Sequence, residues 1–332
     1  MATKRKGKPI ARKRQKLLLG VDLGGNDVKY GLVSPNGELV EACKIPTQAE
    51  RGGEDTIRRI AEALTDLLRR HSLKRSDIRG IGFGSPGPLS TRRGVVINTP
   101  NLRWVNVPVK GLLESRMDLP VVLHNDANAA AYGEFWRGAG RGSSIMVLFT
   151  LGTGVGGGIC MFNDLLVGPG ENAGELGHMV INPKGPQCPC GHYGCLEAHA
   201  AAKAVVRDTL AALDAGEPSS LRTIERPQIT SKRVFEAARD GDALARRIFH
   251  NVGWSLGLAC GNLINILNAE VFVFGGAMSG AWEVLDDAIL EGARASAMAM
   301  PLDRVRFVRA ELGENAGIIG AAGLALKEFG KR

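Results

Sequence analysis

The chain has 332 residues, of which 44% are hydrophobic, and a formal net charge of +8. This length exceeds the size at which one hydrophobic core usually stops growing, so two domains are expected. Residues 1–16 hold eight of the 42 Lys and Arg residues, and the remaining 34 equal the number of Asp and Glu residues, so the net charge does not indicate a nucleic-acid-binding body.

The first 16 residues contain no acidic side chain and no apolar periodicity, which predicts a disordered basic tail. Non-specific attraction to polyanions is the functional alternative for this tail. The apolar run over 17–21 ends at Asp22 and is too short for a signal peptide, and no segment approaches the ~18 apolar residues of a membrane span. The sequence therefore predicts a cytoplasmic protein.

The body begins with three predicted strands, a helix and a fourth strand. Apolar residues at helical spacing between Ile57 and Leu68 predict the helix. Buried or alternating runs predict strands over 17–22, 28–33, 38–45 and 78–83, with Gly24-Gly25 as the first turn. The predicted order is β-β-β-α-β.

A short strand over 120–123 leads into His124-Asn125-Asp126 and then into the alanine-rich start of a helix. Asp126 therefore lies at a strand-to-helix junction. Its side chain either caps the helix, a common role worth about 1 kcal/mol, or accepts a proton from a substrate hydroxyl during phosphoryl transfer. The residues alone favour the cap.

A second strand–turn–strand unit covers 145–150 and 155–161, and its Leu-Gly turn repeats that of the first unit 128 residues earlier. The repeat predicts two related halves that face each other across a cleft. Glycines in 152–158 match G-x-G-x-x-G, but a strand pattern follows them where a dinucleotide site needs a helix. Paired glycine hairpins could instead clamp a polyphosphate through backbone N–H groups, or serve only as structural turns.

Four metal-ligand side chains follow in the pattern His-x9-Cys-x-Cys-x4-Cys: His178, Cys188, Cys190 and Cys195. Three thiolates and one imidazole complete a tetrahedral structural zinc site. Disulfides are the alternative, although Cys188 and Cys190 are too close along the chain to bridge comfortably. A Zn²⁺ ion is therefore predicted to brace a loop whose edges carry Glu175 and Glu197.

Near the C-terminus, a predicted strand over 270–274 ends at Gly275-Gly276, and a predicted helix over 317–326 could close back onto the first half.

Five segments together resemble the ROK family of sugar kinases, within the actin-like and hexokinase-like ATPase fold. They are Asp22-Leu-Gly-Gly25, His124-Asn-Asp-Ala-Asn128, Leu151-Gly-Thr-Gly-Val-Gly-Gly-Gly158, Gly174-Glu-Leu-Gly-His178 and Cys188-Pro-Cys-Gly-His-Tyr-Gly-Cys-Leu-Glu197. The resemblance implies a two-domain, ribonuclease H-like α/β fold with duplicated β-meander halves and an interdomain cleft. We expect a small domain over 17–124 plus 314–332, and a large domain over 125–313 that contains the zinc-binding loop (178–195).

The resemblance implies that Asp126 is the catalytic base. The implied sugar-binding residues are Gly84, Asn101, Asn125, Asp126, Glu175, His178 and Glu197. The implied nucleotide-binding residues are Asp22, Gly24, Gly25, Asn26, Gly152, Thr153, Gly154, Gly156, Gly157, Gly275 and Gly276. The implied reaction is phosphorylation of a hexose 6-hydroxyl, with glucose as the first choice, by ATP and Mg²⁺ in a homodimer or a dimer of dimers.

Several alternatives stay open at this point. Kinases of N-acetylmannosamine, N-acetylglucosamine or fructose share most of these residues, and polyphosphate could replace ATP. The family also contains sugar-responsive DNA-binding repressors, whose helix-turn-helix needs roughly sixty or more residues; here 16 precede the body, so no specific nucleic-acid binding is expected. A sugar sensor without catalysis is a third possibility, against which Asp126 argues.

The chain departs from the family pattern after its first double glycine. Asn26-Asp27 stand where the family usually has threonine. The Asp27 carboxylate would repel a phosphate unless it faces solvent or holds the metal ion.

Overall fold

The computed structural model describes residues 15–99 and 101–330. The strands are β1 (Leu17–Leu23), β2 (Asp27–Val33), β3 (Leu39–Pro46), β4 (Ile78–Ser85), β5 (Leu89–Ser90), β6 (Val95–Thr99), β7 (Trp104–Val107), β8 (Val121–Asn125), β9 (Ile145–Leu151), β10 (Val155–Met161), β11 (Asp164–Leu165), β12 (Val271–Gly275) and β13 (Arg306–Arg309). The helices are α1 (Gly53–Arg70), α2 (Val109–Met117), α3 (Asp126–Arg137), α4 (Leu196–Ala200), α5 (Ala202–Asp214), α6 (Ser231–Arg239), α7 (Ala243–Leu267), α8 (Asp286–Ser296), α9 (Ala299–Leu302) and α10 (Ala316–Phe329).

Two five-stranded sheets share one strand pattern. The first has the order β3-β2-β1-β4-β8 and the second has the order β11-β10-β9-β12-β13. In each sheet three antiparallel strands are followed by two parallel ones. The predicted β-β-β-α-β opening and the predicted duplication are therefore confirmed, and the chain is of the α/β class.

Helix α10 packs against the first sheet at very short range because glycines face it. A Cβ on Gly20 of β1 would lie 2.0 Å from the carbonyl oxygen of Ile318, and one on Gly82 of β4 would lie 1.7 Å from that of Ala321. Only a residue without a side chain allows such an approach. The C-terminal helix thus completes the first half of the molecule, as the sequence predicted.

Helix α3 lies between the two halves. It packs on α10 through glycines, since a Cβ on Gly320 would lie 1.6 Å from the carbonyl oxygen of Ala129. Its other side belongs to an apolar cluster that includes Met146 and Leu148 of β9. The first residue of α3 is Asp126, so this helix fixes Asp126 relative to both sheets.

Each half also has its own apolar cluster. The first joins β1, β2, β4 and β8 with α1 and α2, and the second joins β9 and β12 with α5, α6, α7 and α8. In the second, the Phe149 and Phe274 rings stack with centroids 5.7 Å apart. The exact domain boundaries given above stay a prediction.

One part of the fold was not predicted from the sequence, a small three-stranded sheet with the order β5-β6-β7.

The predicted basic tail lies outside the described residues except for Gln15 and Lys16, which are exposed. Within 15–99 and 101–330, no helix has the length and apolarity needed to cross a membrane.

Candidate active site

A cleft lies where strands of both sheets end. Its lining includes Asp22 of β1, Pro86 after β4 and Asp126 after β8 from the first half, with Gly152 after β9 and Gly276 after β12 from the second. The carboxyl ends of parallel strands are the usual position of ligand sites in α/β proteins. The duplicated topology therefore directs two sets of strand ends at one cavity.

The part of the cleft that we call the acidic chamber has a volume of about 500 Å³. Its carboxylates are Asp22, Asp126, Glu175 and Glu197, and His178 also lines it. Among the described residues that line this chamber, none is Lys or Arg. A chamber of this composition suits a divalent cation and the hydroxyl groups of a polar ligand.

Asn125, rather than Asp126, caps helix α3, which corrects the capping interpretation. The Asn125 side-chain oxygen accepts hydrogen bonds from the backbone N–H groups of Ala127 and Asn128, at 2.9 and 3.2 Å. Asp126 is the first helical residue, and one of its oxygens accepts a hydrogen bond from Ala127 N at 2.9 Å. The Asp126 carboxylate is therefore free to line the chamber.

Burial raises the pKa of the Asp126 carboxyl, and the neighbouring Glu175 raises it further, against the Ala127 N–H that lowers it. Burial also raises the pKa of Asp22 to about 7, with an added contribution from Asp126 and an opposing one from Lys29. The two carboxylates thus repel each other in a poorly solvated place. Both are more basic than ordinary aspartates, which suits proton acceptance and cation binding.

The raised pKa of Asp22 predicts a stability effect. The folded protein keeps the proton up to about pH 7, whereas the unfolded chain loses it near pH 4, so stability falls as the pH rises through this window. Asp22→Asn should therefore raise the free energy of unfolding at pH 8 by about 1–2 kcal/mol, less than the full shift implies because the cleft admits solvent. Thermal melts with a chelator and without nucleotide should show the gain at pH 8 and a smaller one at pH 5. Equal gains at both pH values would contradict it.

The glycine turn between β9 and β10 contacts Glu197 closely and fixes the position of its carboxylate. Glu197 accepts a hydrogen bond from Val155 N at 3.0 Å, and a Cβ on Gly154 would lie 2.4 Å from its Oε2 atom. Gly152, Thr153, Gly154 and Gly156 all line the acidic chamber. Gly157 does not; a Cβ there would meet Leu176 at 2.5 Å, because alternate residues of a strand point to opposite faces.

A second part of the cleft, which we call the glycine-rich chamber, has a volume of about 460 Å³. It is continuous with the acidic chamber, since both are lined by Asp22, Ala130, Thr150, Gly276 and Ala277. Its own glycines are Gly275, Gly280, Gly313 and Gly317. A Cβ on Gly317 would lie 2.5 Å from the Asp22 carboxyl carbon, so this glycine lets the start of α10 approach Asp22.

Sequence reasoning missed several residues of the glycine-rich chamber. They include Lys29, Thr150, Arg309 and Glu314. Glycines at 313 and 317 were the available signal for the segment before α10, and strand alternation was the signal for Lys29, which lies opposite Asp22 in the β1–β2 pairing.

Some predicted residues lie outside both chambers. Gly24, Gly25 and Asn26 form the β1–β2 turn, and Asn101 is exposed in the turn between β6 and β7. Gly84 does not line the chambers either; it lies next to the start of α3, where an added Cβ would be 3.5 Å from the Asp126 Cα. The ligand-binding roles of these residues stay predictions.

Asp27 is the first residue of β2 and is partly buried, two positions before Lys29 on the same strand face. Its carboxylate should weaken binding of an anionic ligand near the β1–β2 turn. For ATP, the donor that the resemblance implies, we predict that Asp27→Asn lowers the KM about two- to threefold, the size of one partly screened charge interaction. Steady-state kinetics should show no change in sugar affinity; an unchanged KM for ATP would show that Asp27 points away.

The four predicted metal ligands do meet. One donor atom from each of His178, Cys188, Cys190 and Cys195 lies within 4.8 Å of the others. The sulfur atoms of Cys190 and Cys195 are 3.7 Å apart, as are Cys188 Sγ and His178 Nδ1. A tetrahedral zinc site with Zn–S bonds of about 2.3 Å has edges of about 3.5–3.8 Å. The donor set and its spacing therefore fit such an ion, and no pair is close enough for a disulfide.

The loop that carries these ligands is adjacent to the acidic chamber. Cys188 N donates to His192 O at 2.8 Å and Ile181 N donates to Gly194 O at 2.9 Å, which closes a small hairpin. His178 belongs both to the Cys/His cluster and to the chamber lining. An ion held here would thus fix one wall of the chamber.

Comparison with known proteins gives concordant matches. A family model described as the ROK family matches residues 18–328. A glucokinase of Halalkalibacterium halodurans is 39% identical over 313 residues, which cover 93% of this chain and 95% of that protein. A crystal structure of a ROK family glucokinase from Streptomyces griseus, in complex with glucose and AMPPNP, has a TM-score of 0.78 and 33% identity over 94% of this chain and 99% of that one. A xylose repressor of Caldicellulosiruptor bescii is 28% identical over 94% of this chain and 78% of its own length.

Proposed function

This chain belongs to the ROK family and has its two-domain actin-like ATPase fold, and on that premise we propose that it transfers the γ-phosphoryl group of ATP to the 6-hydroxyl of glucose. The observation that carries the proposal is the position of Asp126, whose carboxylate lines the acidic chamber next to the opening into the glycine-rich chamber. The similarity to glucokinases is the reason for choosing glucose among hexoses.

The acidic chamber is the proposed sugar site. A hexose presents a ring of hydroxyls, each of which donates and accepts hydrogen bonds, and carboxylates placed around the ring can accept from them. Glu175, Glu197 and His178 supply polar groups to the same chamber as Asp126. Asp126 would orient the 6-hydroxyl and accept its proton, which its raised pKa favours.

The glycine-rich chamber is the proposed nucleotide site. Gly276 places backbone at the junction of the two chambers, and Gly152 places backbone in the acidic chamber; neither has a side chain that would block a phosphate. The neighbouring carboxylates Asp22 and Asp126 fit a Mg²⁺ ion there, which would neutralise charge on the transferring phosphoryl group. The residues of the chain mainly position the two substrates.

We also propose that the Cys/His cluster binds a structural Zn²⁺ ion, because its donors and spacing fit one. A cytoplasmic homodimer, or a dimer of dimers, is what the resemblance implies for the assembly. Neither the location nor the assembly enters the argument for the reaction.

An ADP-release assay against glucose, mannose, fructose, N-acetylglucosamine and N-acetylmannosamine tests the proposed function. We expect the highest kcat/KM for glucose with ATP. With polyphosphate as donor no ADP forms, so formation of the sugar phosphate is measured instead, and we expect a lower rate. 6-Deoxyglucose should inhibit competitively without ADP release, because it fills the site but lacks the accepting hydroxyl. An absence of ADP release with every sugar would refute the assignment, and a preference for an N-acetylhexosamine would change the substrate.

A further inference from the structure

A lysine and a glutamate face each other at the wall of the glycine-rich chamber. Lys29 Nζ lies 3.1 Å from Glu314 Oε2, and both residues line the chamber. The Glu314 side chain is 84% exposed and that of Lys29 is 30% exposed. Ion pairs this exposed add little to stability, so the pair can separate without disturbing the fold.

The distribution of charge makes Lys29 important for an anionic ligand. The acidic chamber has four carboxylates and, among the described residues lining it, no cationic side chain. The described lining of the glycine-rich chamber has two cations, Lys29 and Arg309, beside its three carboxylates Asp22, Glu134 and Glu314. Lys29 is paired with Asp22 across β1 and β2, at the junction of the chambers, whereas Arg309 lies on the edge strand of the second sheet.

The segment that carries Glu314 is held in place by hydrogen bonds to helix α3. Glu134 of α3 is fully buried, and its carboxylate accepts hydrogen bonds from the backbone N–H groups of Glu311 and Leu312, at 3.2 and 2.8 Å. The segment before α10 therefore stays next to the chamber. Glu314 is kept within reach of Lys29 while its own side chain remains free to move into solvent.

We propose that Lys29 binds a phosphate group of the nucleotide and that Glu314 occupies Lys29 when the nucleotide is absent. An ammonium group binds phosphate as a point charge, so one carboxylate oxygen and one phosphate oxygen can exchange at Nζ without a change of backbone. Glu314 would then weaken nucleotide binding by competing with the phosphate for Lys29. It would form the ion pair with Lys29 again as the product leaves. This inference rests on the proposed function in that ATP is the donor.

Calorimetric titration with Mg²⁺ and AMPPNP, which is not turned over, tests the inference without relying on activity. Lys29→Met should weaken AMPPNP binding about tenfold or more, the effect of losing one charge-assisted hydrogen bond. Glu314→Gln should tighten it about two- to threefold, because the removed competitor is an exposed charge. Glucose binding should change less than about twofold in both variants.

The double variant and a matched lysine give the controls. In the Lys29→Met background, Glu314→Gln should have no effect, because nothing remains for Glu314 to compete over. Lys232→Met should bind AMPPNP normally, since Lys232 is exposed on α6 and lines neither chamber.

Two results would overturn the inference: normal AMPPNP affinity in Lys29→Met, or an equal effect of Glu314→Gln with and without Lys29. A wild-type protein that binds AMPPNP but phosphorylates no hexose would refute the proposed reaction and leave the Lys29 inference standing. A wild-type protein that does not bind AMPPNP would refute both.

Discussion

Asp126→Asn is expected to lower kcat for hexose phosphorylation by about 10²–10⁴-fold, the usual contribution of a general base. Asparagine has nearly the same shape but cannot accept the proton of the 6-hydroxyl. The cap of α3 should survive, because Asn125 supplies it. Initial rates at saturating glucose and ATP measure the loss, and the KM for glucose should change only a few-fold because the other polar groups of the chamber remain.

The same substitution should not reduce stability, which separates a catalytic role from a structural one. Folding raises the pKa of the Asp126 carboxyl. Above that pKa the carboxylate is charged, and burying this charge lowers the stability of the native state. A neutral asparagine should therefore melt at the same temperature as the wild type or slightly higher at pH 8. Asp118→Asn, at an exposed position after α2, is the matched control and should keep full activity. An Asp126→Asn enzyme with more than about a tenth of wild-type activity would contradict the general-base assignment.

Most of the order of strands and helices was predicted from the sequence, because each element shows the local periodicity of its type. The β-β-β-α-β opening follows from short apolar runs and from the helical spacing of residues such as Ile57, Ile60 and Leu64. The duplicated glycine turn revealed the two halves. The small sheet β5-β6-β7 was missed because its strands have two to five residues, too short to show a period.

The site was predictable where a segment of the family resemblance contained the residue. Asp126, Glu175, Glu197 and His178 do line one chamber, since each lies in a segment that the resemblance identified. Motif membership did not tell which way a residue faces. Gly157 belongs to the same glycine run as Gly156, but strand pleating turns it away from the cleft and onto Leu176.

Contacts between distant segments were beyond the sequence. Lys29 and Glu314 lie near opposite ends of the chain and meet only because α10 returns to the first sheet. That return depends on glycine positions at which two backbones touch, such as Gly20 against Ile318. A single sequence shows these glycines but does not show which partner each one faces.

Cys190→Ser is expected to abolish stoichiometric metal binding and to raise the KM for glucose by about 10–100-fold, the usual effect of disturbing a metal site. Apart from the backbone hydrogen bonds of its hairpin, the loop over 179–195 has little apolar packing of its own, because the small cluster at the ligands contains Cys188, Cys195 and Ala198. Without the ion, His178 loses its anchor on the wall of the acidic chamber. Mass spectrometry of the metal content and steady-state kinetics measure the two effects together.

The loss of structure in Cys190→Ser should remain local to the loop. A local loss is what would identify the ion as a stabiliser of the loop alone. The two main apolar clusters take only the partly buried Met179 and Ile181 from this loop, so the main melting transition should shift little while protease cleaves within 182–194. Cys43→Ser, on β3 and outside the Cys/His cluster, is the matched thiol control. This variant should keep the metal content and the KM of the wild type.

Fewer than about half a zinc ion per wild-type chain would count against a tetrahedral site. Full zinc in the Cys190→Ser protein would show instead that three ligands suffice, and an unchanged KM in a metal-free protein would show that the loop keeps His178 in place by its backbone hydrogen bonds alone.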